Sequence, residues 1–209
     1  MREADAGVLA RLQQDIEACR ICVDAPLKTP LPHAPRPVVR LSSTARICVA
    51  GQAPGNRVNL SGVPFDDASG ERLRDWMGLD RARFYDVASL AIVPMGFCFP
   101  GTDSKGGDRP PRKECAQRWH DSVFAAMPQI ELVLAIGGYA QAWHLGRERK
   151  ATLTETVENW RQYLFRNEGR RVLPLPHPSW RNTAWLKRNP WFEREVVPEL
   201  RTLVAQYCA

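Results

Sequence analysis

Short apolar runs alternate along this chain with longer segments in which apolar residues return every three or four positions. Arg46 to Ala50 (RICVA) is a compact apolar run that stops at Gly51, the pattern of a buried strand entering a loop. Phe84 to Val93 reads as a second strand. Glu131 to Ile136 (ELVLAI) reads as a third, breaking at Gly137-Gly138. Arg171 to Leu175 is a fourth, and it delivers the chain into Pro176-His177-Pro178-Ser179. Between these runs the period is helical. Helices are predicted over Met1 to Glu17, over Ser69 to Met77 with Ser69 as N-cap, and over Arg112 to Met127. Two more are predicted over Gly138 to Leu145 and Pro190 to Gln206. Leu73, Trp76 and Met77 fall on one face of the second helix, and Trp119, Val123 and Phe124 point inward from the third. Strands alternating with helices predict an α/β fold: a three-layer α/β/α sandwich around a central, mostly parallel four-stranded sheet. In such sheets the functional loops leave the carboxyl ends of strands, which singles out the loops at Gly51 and His177.

Composition narrows the class without naming an activity. At 209 residues the chain is the size of one domain, read as spanning 1–209. Hydrophobic residues are 44% and charged residues 25%, a soluble globular balance, and no apolar run approaches the roughly 18 residues of a membrane span. The N-terminus carries acids and no apolar core of its own, so it reads as an amphipathic helix and not as a signal peptide. A cytoplasmic monomer with no membrane partner is expected. The net charge of +6, carried mostly by arginine, favours polyanionic partners but does not identify one. The prolines gather in three segments, 26–37, 99–111 and 174–180, which read as ordered loops.

Six cysteines in a cytoplasmic chain are ligands or core residues before they are disulfide partners. Cys48 alternates within a strand as a small apolar residue, and Cys208 lies beside a fraying C-terminus. The other four form two pairs: Cys19-x-x-Cys22, and Cys98 with Cys115 on either side of a Pro/Gly-rich loop. Four soft thiolates suit an iron–sulfur cluster or a structural zinc ion equally on spacing alone, and four buried free cysteines remain a third reading.

Two loops carry candidate chemistry. In Val49-Ala-Gly-Gln-Ala-Pro-Gly55 glycines flank a proline, so the loop turns sharply and brings backbone donors close to a ligand. Downstream, Gly62-Val-Pro-Phe65-Asp-Asp67-Ala-Ser-Gly70 places an aromatic and two carboxylates before a helix. Phe65 is either a ring for stacking a flipped base or a core residue, and the carboxylates either act on a ligand or cap the helix. His177, held between prolines, is placed to stabilise charge on a leaving group. Beside it, Trp180 and Arg181 offer a wedge and a phosphate contact, or a core anchor.

Together GQAPG (51–55), GVPFDDASG (62–70) and HPSWRN (177–182) resemble the uracil-DNA glycosylase superfamily across nearly the whole chain. The cysteine pattern is similar to its iron–sulfur branch, families four and five. The resemblance implies a 4Fe-4S cluster on Cys19, Cys22, Cys98 and Cys115. The DASG and HPSxxN elements look more like family five, whose activity extends to several deaminated bases. That match makes Asp67 the carboxylate that positions water, Phe65 the base-stacking ring and His177 the donor to the base carbonyl. Asn182 corresponds to the family-five Asn after HPS, and Gly51, Gln52, Ala53 and Gly55 line the base pocket. Ser179, Trp180 and Arg181 would meet the DNA. Gln52 and Ala53 stand where families four and one carry catalytic acids, and Ser89 aligns with the base-selecting Asn of many relatives. Asn56 and Asn59 are further candidates for the pocket. No lysine stands in these motifs as a Schiff-base nucleophile. The implied activity is monofunctional removal of uracil or other deaminated bases from DNA. The alternative is a catalytically silent iron–sulfur protein that binds or senses damaged DNA.

Overall fold

The structure is a computed structural model that describes residues 3–165 and 169–208, with side chains described from residue 7 onward. Strands β1 (Ile47–Ala50), β2 (Leu90–Ile92), β3 (Leu132–Ile136) and β4 (Arg171–Leu175) form one sheet in the order β2-β1-β3-β4, with every neighbouring pair parallel. The register aligns Ile47 with Leu90 on one side and Leu132 on the other, and Leu132 with Arg171. All four carboxyl ends therefore fall on one edge.

Helices α1 (Glu3–Glu17) and α2 (Ile21–Asp24) precede β1, and α3 (Asn56–Ser61), α4 (Ala68–Met77) and α5 (Arg81–Tyr85) connect β1 to β2. Helix α6 (Lys113–Ala126) leads into β3, and α7 (Gly137–Leu145), α8 (Leu153–Glu158) and α9 (Trp160–Leu164) lead into β4. The chain ends on α10 (Thr183–Arg188) and α11 (Val197–Tyr207). Apart from Arg171 at the start of β4, every strand residue is buried, as a parallel sheet between helical layers requires.

Strand side chains alternate between two cores of different calibre. Ile47, Val49, Leu90, Ile92, Leu132, Leu134, Leu173 and Leu175 meet α4 and α11 through Leu73, Trp76, Leu200 and Val204. On the other face the strands present mostly small residues, Cys48, Ala50, Ala91 and Ala135, and there the bulk comes from the helices, through Ile16, Trp119, Val123 and Phe124. Small strand residues leave room for these aromatics, so each layer reaches close packing with the large partner on one side only. The three-layer α/β/α architecture is the one the alternating pattern predicts.

Three local expectations change. The apolar run from Phe84 to Val93 is a strand only at Leu90–Ile92, because Asp80 caps α5 by accepting from Arg83 N at 2.7 Å and Phe84 is buried from a helix. The N-cap of α4 is Asp67 and not Ser69. The final helical segment is π-helical over Phe192–Val196 before α11 begins, where Pro198 has no N–H for the regular ladder. Cys48 is fully buried in β1 as expected, whereas Cys208 is buried and not frayed, its Sγ directed at the Ser89 carbonyl. No helix among the described residues is long and apolar enough to cross a membrane.

Candidate active site

The carboxyl edge of the sheet opens into a cavity of about 920 Å³. Every strand contributes the residues just beyond its end: Gly51 after β1, Pro94 after β2, Gly137 after β3 and His177 after β4. Among the residues singled out from sequence, Gly51, Gln52, Ala53, Gly55, Phe65, Asp67, His177, Ser179, Trp180, Arg181 and Asn182 all line it. Met95 N and Gly96 N donate to the carbonyls of Gly51 and Gln52, binding the β1 loop to the β2 exit. The amides of Gln52, Ala53 and Gly55 donate to nothing else among the described residues, so they are available to an anion.

Phe65 is held in an unusual backbone state. Its φ of 55° is in the left-handed region, which costs a residue with a side chain about 1–3 kcal/mol. Three contacts hold it there. Arg74 Nη1 donates to the Phe65 carbonyl at 3.3 Å, and the ring packs edge-on against Phe84 with centroids 6.2 Å apart. Gly70 supplies the space: a Cβ on it would lie 1.8 Å from the Phe65 carbonyl oxygen. The ring tip in turn lies against Gly51, where a Cβ would come within 3.2 Å of Cζ. The two glycines of the motifs thus fit the same aromatic from opposite sides.

Asp67 accepts from Gly70 N at 2.8 Å through Oδ1, so the carboxylate caps α4 while it faces the cavity. The capping reading holds, and the same residue lines the cavity. Asp66 turns away to pair with Arg81 at 2.8 Å, and that bond holds its carboxyl below the ordinary range.

The loop after β4 orients its histidine by three hydrogen bonds. Ser179 N donates to His177 Nδ1 at 3.2 Å, which makes Nδ1 an acceptor and leaves the ring proton on Nε2. Asn182 Nδ2 donates to the His177 carbonyl at 2.7 Å, and Arg72 Nη1 from α4 donates to the Ser179 carbonyl at 3.1 Å. Asn182 therefore braces the histidine loop as well as lining the cavity. Burial lowers the His177 pKa, while Asp67 and Asp108 pull it upward, and with Nδ1 accepting from Ser179 N the ring is the neutral tautomer. Trp180, next in the chain, is 74% exposed and anchors no core.

Some assignments move. Ser89 lies at the amino end of β2, the wrong end of a parallel strand for this cavity, and its hydroxyl donates to Asp86 at 2.7 Å. It does not line the cavity; Ile92 and Pro94 occupy the cavity end of that strand. Gln52 Nε2 reaches the Arg109 carbonyl at 3.4 Å, bracing a neighbouring loop. Asn56 and Asn59 sit on α3, of which only Val58 reaches the cavity. Sequence reading missed Asp108, Tyr139 and Arg149, which line the cavity. Tyr139 follows the end of β3, so the carboxyl-end rule that singled out Gly51 and His177 also points to it. Asp108 lies in a loop read only as a spacer between cysteines.

Residues 39–201 match the family described as Uracil DNA glycosylase superfamily. The chain belongs to this superfamily. Its members are typically DNA glycosylases, and the match spans all four strands, every cavity loop and most of the helices.

The four candidate ligand cysteines lie at one end of α6, partly outside the matched range. Cys22 packs with Cys98 and Leu31, Phe97 N donates to Cys115 Sγ at 3.2 Å, and Trp119 Nε1 donates to Cys19 Sγ at 3.2 Å. Burial pushes the Cys22 thiol up to about 11 and Cys98 to about 12, and the nearby thiols add to each shift. Cys115 is pushed up too, by burial first and then by Cys98, Cys22 and Cys19. Among the described residues no group of three or more His, Cys, Asp or Glu is arranged to hold a metal ion.

The fit around Phe65 is directly testable. Gly70→Ala drives a methyl into a backbone carbonyl that no side-chain rotation can clear, and a loss of about 1–3 kcal/mol is expected in chemical denaturation. A variant as stable as the parent would mean that Phe65 is not fixed in this way.

Proposed function

We propose that this protein is a monofunctional DNA glycosylase that removes uracil or another deaminated base from DNA. One observation carries the reading. In a chain of this superfamily, a fixed aromatic ring, a neutral histidine with its proton on Nε2 and free backbone amides converge on one cavity beneath an exposed tryptophan.

Cleavage of an N-glycosidic bond builds positive charge on the sugar and negative charge on the base. Phe65 stacks the flipped base, and His177 Nε2 together with the amides of Gln52, Ala53 and Gly55 stabilises the base anion. A neutral imidazole suits that task, because it donates without the cost of burying a cation. Asp67, fixed by its bond to Gly70, faces the sugar and stabilises the cation. Trp180 enters the stack that the flipped nucleotide vacates, and Arg181 and Ser179 meet the backbone. Ser89 takes no part in choosing the base, and the apolar end of β2 at Ile92 and Pro94 is permissive towards several deaminated bases. No lysine lines the cavity, which favours base release without strand cleavage.

We further propose that Cys19, Cys22, Cys98 and Cys115 hold a 4Fe-4S cluster. The contact of Cys22 with Cys98, and the placing of Cys115 and Cys19 beside them on and against α6, supports it, since buried thiols of this kind are costly to ionise without a cationic core. The cluster would supply structure and no step of the hydrolysis, tying the segment around α2 to the loop that follows β2. The purified protein is expected to absorb near 400 nm and to contain about four iron atoms per chain. A colourless protein with zinc, or with no metal, contradicts this assignment and leaves the base-release chemistry standing.

The activity itself is decided on oligonucleotides, single- and double-stranded, carrying one uracil, hypoxanthine or xanthine. Release of a free base with an intact sugar–phosphate backbone is expected, slowed by about a hundredfold or more in His177→Ala. Damage-dependent DNA binding without any released base would favour instead a silent damage sensor, the reading that the missing acids at Gln52 and Ala53 support.

A further inference from the structure

The cavity holds a second carboxylate that the motifs do not announce. Asp108 sits on a lip formed by residues 101–109, and this lip is ordered by its own backbone. Asp103 Oδ1 accepts from Lys105 N at 2.8 Å and Gly107 N at 2.9 Å. Asp103 N donates to the Gly107 carbonyl, Arg109 N to the Gly101 carbonyl, and Thr102 bridges Asp108. Asp103 is thereby consumed in building the turn. Gln52 then fastens the lip to the β1 loop through the Arg109 carbonyl.

The result is an exposed aspartate on the rim of the cavity, its Oδ2 beside Gly55. A Cβ on Gly55 would stand 3.4 Å from Asp108 Oδ2, and the side chain takes part in no hydrogen bond or ion pair among the described residues. Its outer side is open to solvent. The charged and titratable groups facing it are Arg181 and His177 from the β4 loop, Asp67 from the cap of α4, and Asp103 from its own lip. Partial burial raises its pKa, opposed first by Arg181, while Asp67 and Asp103 add to the rise.

Resting on the glycosylase reading above, we propose that Asp108 is a second catalytic carboxylate, the acceptor of the proton from the attacking water. The logic is differential binding. A carboxylate at the mouth of a DNA site opposes the phosphates in the ground state, and it gains a partner only when the sugar becomes cationic. In the step, the water oxygen bonds to C1′ as the C1′–N bond breaks, its electron pair leaves with the base, and the water proton passes to Asp108. Asp108 then returns that proton to the departed base or to solvent, and one water is consumed for each free base and abasic site. Asp67 differs because Oδ1 is committed to Gly70 N. The two carboxylates divide the work: Asp67 holds the cation from a fixed position, and Asp108 moves the proton. This also accounts for a site without acids at Gln52 and Ala53, since the first of these braces the loop that carries the replacement.

The test is single-turnover base release across pH 4 to 8, at saturating protein, on whichever oligonucleotide the wild type cleaves fastest. The wild-type rate is expected to fall towards acid pH with a midpoint above the ordinary carboxylate range, because the reaction needs Asp108 ionised. Asp108→Asn is expected to slow release about a hundredfold and Asp108→Glu to restore part of the rate; in a His177→Ala background, where the imidazole contributes nothing, the acid limb is expected to persist and Asp108→Asn to abolish it. Binding of the Asn variant to an oligonucleotide with a tetrahydrofuran abasic analogue is expected to match or exceed wild type. An active wild type whose Asp108→Asn variant keeps its rate and pH profile overturns this assignment alone. So does a rate loss accounted for by weaker DNA binding. A wild type that releases no base overturns the glycosylase reading and this assignment with it.

Discussion

The parallel ladder from β2 through β1 and β3 to β4 is the constraint on which the rest depends. Because Val49, Ile92, Leu134 and Leu173 lie in one register, the next residues of all four strands emerge together on one edge. A single antiparallel pair would have sent one of the four loops to the opposite side. The unequal calibre of the two sheet faces serves the same end. Small residues such as Ala91 and Ala135 admit the aromatics of α6, and α6 carries Cys115 to the chain that leaves β2.

Once the loops meet, short polar contacts fix each of them. Gly51 and Gln52 carbonyls hold the β2 exit, Arg72 of α4 holds the Ser179 carbonyl, and Arg74 holds Phe65 in a strained conformation. Helix α4 is the common brace: its cap is Asp67, its glycine makes room for Phe65, and its arginines grip two different loops. Such bracing is what electrostatic stabilisation of a transition state requires, since donors already in place need no reorganisation when charge develops. In the proposed reaction the charges follow the same plan, with a neutral imidazole for the base anion and two carboxylates for the sugar cation. Arg181 and Arg149 line the same cavity.

Most of this was legible in the sequence, for reasons that differ by residue. The strands at Ile47, Leu132 and Arg171 were plain because each is a dense apolar run with no competing signal. The stretch from Phe84 to Val93 misled, because Asp80 caps a short helix there and burial of Phe84 looks alike from helix or strand. Phe65, Asp67 and His177 were legible through their motifs, and the structure adds why the glycines beside them are needed. Ser89 was misplaced by alignment to a strand whose start had been set six residues early. Asp108 was invisible because its place at the cavity comes from a fold-back of the lip that pairs Thr102 with Asp108, and nothing in residue type or spacing marks which of two loop aspartates reaches the cavity.

The central claim is that one nucleotide leaves its stack and enters the cavity between Phe65 and His177. The most direct measurement is a crystal structure of the protein with DNA carrying a 2′-fluorinated nucleotide, which slows cleavage, bearing the base it releases fastest. The account predicts that base stacked on the Phe65 ring, with a carbonyl oxygen about 2.7–3.2 Å from His177 Nε2. A base still stacked in the DNA, or bound in the protein away from both residues, would contradict it.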